Sequence, residues 1–441
     1  MANATFSRLG SANTYDNAVR TITARQSKLS ALQENLTSGK RVVRASDDPT
    51  SAAIAERALT RINRIATDQR ALESQRNAIT QAESTLGDVS DAMQRFRELV
   101  VNAGNGIHTA SELRTIAQEM KGLRDQVFSL SNRQDTNGLP LFNALGSALA
   151  PFVGPNTTAP EYSFNGLPGQ TSNTAVSIPV ALDGDSAFMH QPSRDGVFTS
   201  TISNTSTGSI SGRSFQTGPV TMTDSTVVSA TATAAQATGS VPFPTYTVEF
   251  TNIDTTTTPG VTNATYRVTE TPAVNPIGAP APFGNVTVSY PTGQSANFNV
   301  TAIPGLSFSI TGTPAVNDRV TVDASSSVFS DMDYAISHIG NAINSNEAVQ
   351  TVTQALHNID ISMERVSAVR GQAGELLNRA DRISGNQDKR SIQMEADRSR
   401  AEDIDMVKGI SDFQTQQTGY QAALQTYAQI QKLSLFNFIG G

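Results

Sequence analysis

Histidines, cysteines and paired carboxylates are where chemistry is first sought in a chain, and here they are sparse. The 441 residues include four histidines, His108, His190, His338 and His357, at spacings that give neither a metal-ligand set nor a base beside a nucleophile. Cysteine is absent, which removes disulfides, thiol nucleophiles and thiolate zinc sites together. Three acid pairs remain: Asp331-Met-Asp333, Asp403-Ile-Asp405 and Asp183-Gly-Asp185. Residues two apart on a helix point about 200° away from each other, so the first two pairs read as carboxylates on solvated helix faces. The third lies in a loop, and without further ligands for calcium it reads as a turn. No catalytic residue, cofactor or metal is therefore expected. Lys40, Arg41 and Arg44 form a small basic loop between two helical stretches, suited equally to a neighbouring subunit or to solvent.

Charge excludes two partner classes. The formal net charge is -7, and basic residues alternate with acids along both ends, so neither nucleic acid nor an anionic membrane is an expected partner. No apolar stretch is long enough to span a bilayer, and the first residues lack the basic-then-apolar pattern of a cleaved signal peptide. Taken alone, these features describe a soluble, cytoplasmic protein.

The elements that would position side chains fall into three zones. Seventeen of the 19 prolines lie between residues 147 and 330, a stretch with no lysine and only four arginines. Its Thr, Ser, Val, Asn and Gly content is that of strands and turns, and no helix is expected there. Tyr246–Phe250, Tyr266–Val268, Val286–Tyr290, Phe298–Val300, Phe308–Ile310 and Val320–Val322 alternate apolar with polar, as half-buried antiparallel strands do. A small β-sandwich or barrel over 201–330 is expected.

The flanks carry heptads instead. Ser46-Asp-Asp-Pro49 opens a helix, whose stripe Ile65, Leu72, Ile79, Leu86, Met93 and Val100 runs to Gly104-Asn-Gly106. That is roughly 80 Å of helix, which needs partners along its length. Thr109-Ala-Ser-Glu112 reads as a capping box for a second helix, and the heptad pattern resumes past the central zone from Val349 to Ala380. The fold class expected is α+β: an elongated antiparallel helical bundle built from both chain ends, with a central, mostly antiparallel β-domain insertion.

The outermost segments differ. Tyr15, Val19, Ile22, Leu29 and Leu36 share one seam with Gln26 and Gln33, and Met406, Ile410, Phe413, Tyr420, Leu424 and Tyr427 share another with Gln417 and Gln431. Glutamine in a seam suits helices that complete their packing only when neighbours surround them. These apolar residues, with Leu435 and Phe436 near the C-terminus, are the expected assembly interface. Residues 1–40 with 405–441 then form a terminal coiled-coil core segment. Residues 41–200 with 331–404 form a helical-bundle domain with a β-hairpin region at about 150–200, and 201–330 form a β-rich outer domain.

Leu36-Thr-Ser-Gly-Lys-Arg-Val42 followed by Ser46-Asp-Asp-Pro49, Asn378-Arg379, Ser399-Arg-Ala-Glu-Asp-Ile-Asp405 and Leu433-Ser-Leu-Phe-Asn-Phe-Ile439 are arranged as in the flagellin family, which the chain resembles at both ends. Gly305–Pro314 followed by Asp318 is similar to β segments of the family's hook-associated members, and Asp48-Pro49 and Leu435-Phe436-Asn437 resemble those at the hook-filament junction. The resemblance implies a structural, non-enzymatic part of the bacterial flagellum. It would join hook-associated protein 1 to the flagellin filament by axial polymerisation through its terminal helices. Flagellin, hook-associated protein 1 itself, or a surface adhesin acting through the β-domain are the alternatives. The partners implied are hook-associated protein 1, flagellin, further copies in a ring and a flagellar export chaperone. The place implied is outside the cell, reached through the flagellar type III apparatus without a cleaved signal, which replaces the cytoplasmic reading.

Overall fold

Asp48 Oδ1 accepts the Ser51 N–H at 3.1 Å, and Pro49 takes the first helical position, so the chain turns into helix where its sequence permits no earlier start. The computed structural model describes residues 4–439 except 158–159, 172–173, 207–212, 238–242, 275–283 and 343–344; the side chains of 4–14, 345–347, 350, 430 and 432–439 also lie outside the description. Helices α1 (Ala4–Ser38), α2 (Pro49–Ala103) and α3 (Ala110–Ser131) come first. A short ribbon of β1 (Phe152–Val153) and β2 (Ser163–Phe164) follows, then α4 (Gly184–Phe188) and α5 (Pro192–Asp195). The central part contains β3 (Phe198–Asn204), β4 (Phe215–Thr217), β5 (Thr221–Met222), α6 (Ser225–Ala237), β6 (Thr245–Asp254) and β7 (Val261–Thr271). It ends with β8 (Val286–Pro291), β9 (Ala296–Val300), β10 (Leu306–Gly312) and β11 (Asp318–Ala324), before α7 (Val328–Asn341), α8 (Ser345–Glu402) and α9 (Met406–Ile439).

The chain divides into two units, Met1–Ala71 with Arg382–Gly441 and Leu72–Asp381. Helices α2, of 55 residues, and α8, of 58, contribute to both. Within the second unit α2 and α8 run antiparallel, joined by Arg97–Asp360 at 2.6 Å, Arg370–Glu83 at 2.8 Å and Arg76–Asp381 at 3.3 Å. The heptad stripe lies between them: Leu72, Ile79, Ala82, Leu86, Val89 and Met93 of α2 are buried, as are Ile359, Val366, Ala373 and Ala380 of α8. Thr109 and Glu112 form the reciprocal capping box of α3.

The strands pair antiparallel throughout, in a five-stranded sheet β3-β11-β6-β7-β8 and a smaller one in which β10 pairs with β4, β5 and β9. Tyr246, Val248 and Phe250 face inward from the first, and Phe215, Phe298 and Ile310 from the second. Phe250 meets Phe298 edge-on with ring centroids 5.4 Å apart. Gly312 closes β10 at φ +130°, where a Cβ would lie 2.0 Å from the Ser214 carbonyl oxygen, so this position of the Gly305–Pro314 segment admits glycine alone.

The central zone does contain helix, against the expectation from composition. Helix α6 is free of proline between Pro219 and Pro242, is rich in alanine, and begins where Asp224 Oδ1 accepts the N–H groups of Thr226 and Val227 at 2.9 and 3.3 Å. Local propensity and a cap overrode the average composition of the zone. Val228, Thr231 and Ala235 are its buried face.

Phe329 of α7 is surrounded by Phe128, Tyr162, Phe152 and Phe188, with ring centroids between 5.2 and 5.8 Å away. Phe329→Ala is expected to destabilise the second unit by about 3–5 kcal/mol, read as a lowered urea midpoint.

Candidate functional site

The first unit holds the seam residues singled out in the sequence. Helices α1 and α9 pair antiparallel: Tyr15 meets Tyr427, the Arg25 guanidinium lies over Gly419, and Leu36 packs on Gly409. The half-buried stripe of α1 is Ala18, Ile22, Arg25, Leu29, Leu32 and Leu36, a 3-4 repeat. Phe413, Gln416, Tyr420, Ala423 and Tyr427 answer it from α9. At one end the Tyr427 hydroxyl donates to the Tyr15 hydroxyl at 2.8 Å, with ring centroids 5.5 Å apart, and this bond raises the Tyr427 phenol above its usual range. At the other end Gly409 is buried, and a Cβ there would come within 2.8 Å of Ile404 Cδ1 and 3.0 Å of Leu36 Cδ2.

The candidate interface residues therefore split into two sets. Ile22, Leu29, Leu36, Phe413, Tyr420 and Tyr427 are half-buried in the pair. Tyr15, Val19, Met406, Ile410 and Leu424 are exposed, between 38% and 46% of their surface being open. Leu435 and Phe436 lie outside the described side chains. Gln26, Gln33 and Gln417 are exposed and face away from the two-helix contact, whereas Gln431, also exposed, donates to the Tyr427 hydroxyl at 3.4 Å. Burying the open part of each exposed apolar side chain would provide about 1 kcal/mol.

The loop Gly39–Asp48 and the turn between α8 and α9 close on one another. Arg41 N–H donates to the Glu402 carbonyl at 2.7 Å, and Ile404 N–H to the Gly39 carbonyl at 3.0 Å, around a bridge between Lys40 and Asp403. Lys40 pairs with Glu402. Arg41 donates to the Ala401 carbonyl at 2.8 Å, to Ser51 Oγ at 3.1 Å and to Asp48 at 3.2 Å, and Arg44 pairs with Glu34 at 2.9 Å. The basic loop is thus neither simply solvated nor reserved for a neighbour; its charges are committed within the chain. The side-chain hydroxyl and N–H of Ser51, aided by Arg41, hold the Asp48 carboxyl down at about 2.

The acid pairs resolve individually. Asp405 caps α9, accepting the N–H groups of Val407 and Lys408, while Asp403 accepts from Ser399 at 2.6 Å. Asp183 caps α4 and Asp185 pairs with Arg194 at 3.0 Å. Asp331 and Asp333 do diverge, but they are not on a solvated face. Asp333 accepts from the Tyr162 hydroxyl and pairs with Arg124 at 3.1 Å, and Asp331 is 1% exposed. Tertiary packing brings His190 within 3.3 Å of Asp331 and Ser362 within 3.2 Å of His190, the connectivity of a hydrolytic triad. Ser362 is completely buried, so no substrate carbonyl can approach its hydroxyl, and the arrangement is a structural network rather than a catalytic one. In sequence its only signal is Gln354, Asn358 and Ser362 spaced four apart within an apolar heptad. Among the described residues, no group of three or more potential ligands converges to hold a metal, and no helix is long and apolar enough to cross a membrane.

Helices from both chain ends, paired antiparallel around an inserted β region, define a class of protein that comparison makes specific. The pattern of the bacterial flagellin N-terminal helical region matches residues 11–146 and that of the C-terminal helical region matches 356–439, together about half of the chain. The chain belongs to the flagellin family. It is 30% identical over 192 residues to flagellar hook-associated protein 3 of Escherichia coli (strain K12), covering 43% of this chain and 56% of that protein. It is 31% identical over 148 residues to the protein of the same name from Salmonella typhimurium, covering 33% and 46%. The chain thus spans about half the length of the curated relatives it matches. In fold it is similar to the flagellar junction protein FlgL from Legionella pneumophila, with a TM-score of 0.54 at 22% identity over 74% of this chain and 98% of that one. Xanthomonas campestris FlgL gives 0.53 at 21% identity over 77% and 98%.

The Tyr15–Tyr427 contact can be tested in solution. One-electron photo-oxidation of the monomer is expected to couple the two rings, joining the N- and C-terminal peptides through dityrosine, and Tyr427→Phe is expected to abolish the link. Peptide mapping that finds the ends unlinked in the unsubstituted chain contradicts the pairing.

Proposed function

We propose that the chain is a non-enzymatic structural component of the bacterial flagellum that links hook-associated protein 1 to the flagellin filament. The observation that carries this reading is the α1–α9 pair, which buries one stripe and leaves Tyr15, Val19, Met406, Ile410 and Leu424 open. A two-helix pair with exposed apolar side chains gains stability by packing against further helices of the same kind, which is what axial polymerisation supplies. The relatives named flagellar hook-associated protein 3 and the fold shared with FlgL favour the junction over the filament itself. In this reading residues 1–40 and 405–441 are the polymerising segment, 41–200 with 331–404 support it, and 201–330 stand outside the polymer core. The candidate interface residues, including Leu435 and Phe436, are buried against neighbouring copies in a ring, hook-associated protein 1 and flagellin. The chain leaves the cell through the flagellar type III apparatus without a cleaved signal, with an export chaperone bound to its C-terminal helix.

Deleting the gene is expected to leave hooks without filaments and flagellin shed into the medium; normal filaments on the deletion strain contradict the junction role. Leu424→Asp alters an exposed position, so the monomer is expected to keep its circular dichroism and its melting behaviour. Expressed in the deletion strain, it is expected to be exported yet fail to restore filaments. Full restoration counts against an assembly role for that face.

A further inference from the structure

Helix α8 interrupts its apolar seam with Gln354, Asn358 and Ser362, all buried. Gln354 accepts the Val220 N–H at 3.1 Å and donates to the Phe198 carbonyl at 2.8 Å; Asn358 donates to the same carbonyl at 2.9 Å and to Asp331 Oδ1 at 3.0 Å. His190 bonds Ser362 through Nε2 at 3.2 Å, its Nδ1 lies 3.3 Å from Asp331 Oδ2 in contact without a hydrogen bond, and its backbone N–H donates to the Ser326 carbonyl at 2.9 Å. These bonds tie the start of the β region to the helices that carry it.

Two titratable side chains at the centre of such a joint ought to make it sensitive to pH. We propose that His190 and Asp331 form a proton-conserving clasp, holding one proton between them in the closed joint just as they do when it opens, so that the fastening of the β region keeps its strength from mildly acid to neutral pH.

The surroundings favour this. The pair is faced from α7 by Tyr334, from α8 by Ser362 and Arg365, and from the segment around α5 by Asp185, Arg194 and Asp195; on the β side it meets the Phe198 carbonyl through Asn358. Arg194 binds Asp185 and Asp195 at 3.0 and 2.9 Å, and Arg365 lies 3.3 Å from Asp195. Two arginines thus balance two aspartates, and burial decides the protonation of the central pair. Desolvation pushes the Asp331 carboxyl up to about 7, against hydrogen bonds from Ser325, Asn358 and Ser362. Desolvation likewise pushes His190 down to about 4, although Asp195 opposes it. The closed joint therefore carries a protonated Asp331 and a neutral His190 below pH 7. Opened to water, the carboxyl ionises near 3.9 and the imidazole gains a proton near 6.5. The closed pair and the open pair each hold one proton between about pH 4 and 6.5, so closing neither takes up nor releases a proton.

A lowered histidine value means stability is lost as pH falls below about 6.5, and a raised aspartate value means stability is gained as pH falls below about 7. In the full-length chain, hydrogen exchange over residues 186–200 and 351–365, corrected for intrinsic rates, reads the opening constant. From pH 7 to pH 5, opening of Asp331→Asn is expected to increase by roughly tenfold or more and that of His190→Gln to decrease by roughly tenfold or more, while opening of the unsubstituted chain changes by no more than a few-fold. Parallel profiles in all three proteins, or shifts of the same sign, overturn the proposal. A measurement on the unsubstituted chain removes any dependence on variant folding. With histidine labelled at Cε1, the His190 signal is expected to remain that of neutral imidazole down to about pH 5, and a signal titrating near pH 6.5 overturns the clasp.

Discussion

The backbone pairing of Gly39–Arg41 with Glu402–Ile404 is the contact on which the organisation of the chain depends. It joins residues some 360 positions apart, so everything between becomes an insertion between two antiparallel partners. Loop closure over that length costs only a few kcal/mol more than a short loop, because the entropy grows with the logarithm of length. A β region can therefore be carried between the helices at small thermodynamic cost, provided the helical partners find each other. The bonds of Lys40 to Glu402 and of Arg41 to the Ala401 carbonyl fix the level at which they meet.

The two kinds of helical seam have different consequences. Between α2 and α8 in the second unit, the stripe is closed on both sides, with Ile79, Leu86, Val89 and Phe96 wholly buried. In α1 and α9 the corresponding positions are only half covered, and the remaining apolar residues stand in water. Helix propensity alone does not stabilise such segments strongly, since most helical stability in proteins comes from burying an apolar face. The terminal pair thus has a specified partner but an unfinished surface, while the inner helices have both partner and surface completed within one chain.

Much of this was legible in sequence because it is periodic. Heptads placed the seams of α2 and α8, Asp48-Pro49 and Thr109–Glu112 placed two helix starts, and alternation in Tyr246–Phe250 or Val320–Val322 gave both the strand and its buried face. What escaped was aperiodic or distant. Helix α6 was hidden by the composition of its surroundings, although Asp224 and a proline-free alanine run announce it locally. His190, Asp331 and Ser362 are separated by more than a hundred residues and by about thirty, and nothing in their spacing foretells a junction made by tertiary packing. The seam glutamines were legible as anomalies, yet which way they face depends on the partner helix, and Gln26, Gln33 and Gln417 turn outward.

The polar joint inside the second unit shows why a long helix with an otherwise apolar seam keeps Gln354, Asn358 and Ser362. Apolar residues at these three positions would pack, but they would leave the Phe198 carbonyl and the Val220 N–H without partners in a dry site, a desolvation cost of about 1–3 kcal/mol for each group. Apolar contact is also permissive in register, whereas the Gln354 amide accepts from one strand neighbour and donates to another, and so fixes where the β region sits along α8. The requirement for polar groups at this depth then explains the buried His190 and Asp331: once Asn358 has been placed to hold Phe198, its second amide hydrogen needs an acceptor, and Asp331 Oδ1 supplies it at 3.0 Å. A carboxyl brought there for hydrogen bonding cannot stay charged without a counterion, and the neighbouring arginines are already matched by Asp185 and Asp195. In the proposed clasp a protonated Asp331 beside a neutral His190 leaves no unpaired charge in the dry site, with Asp331 Oδ2 and His190 Nδ1 in contact at 3.3 Å but not hydrogen-bonded, and the pair follows from the need to seat a β insertion on an apolar helix.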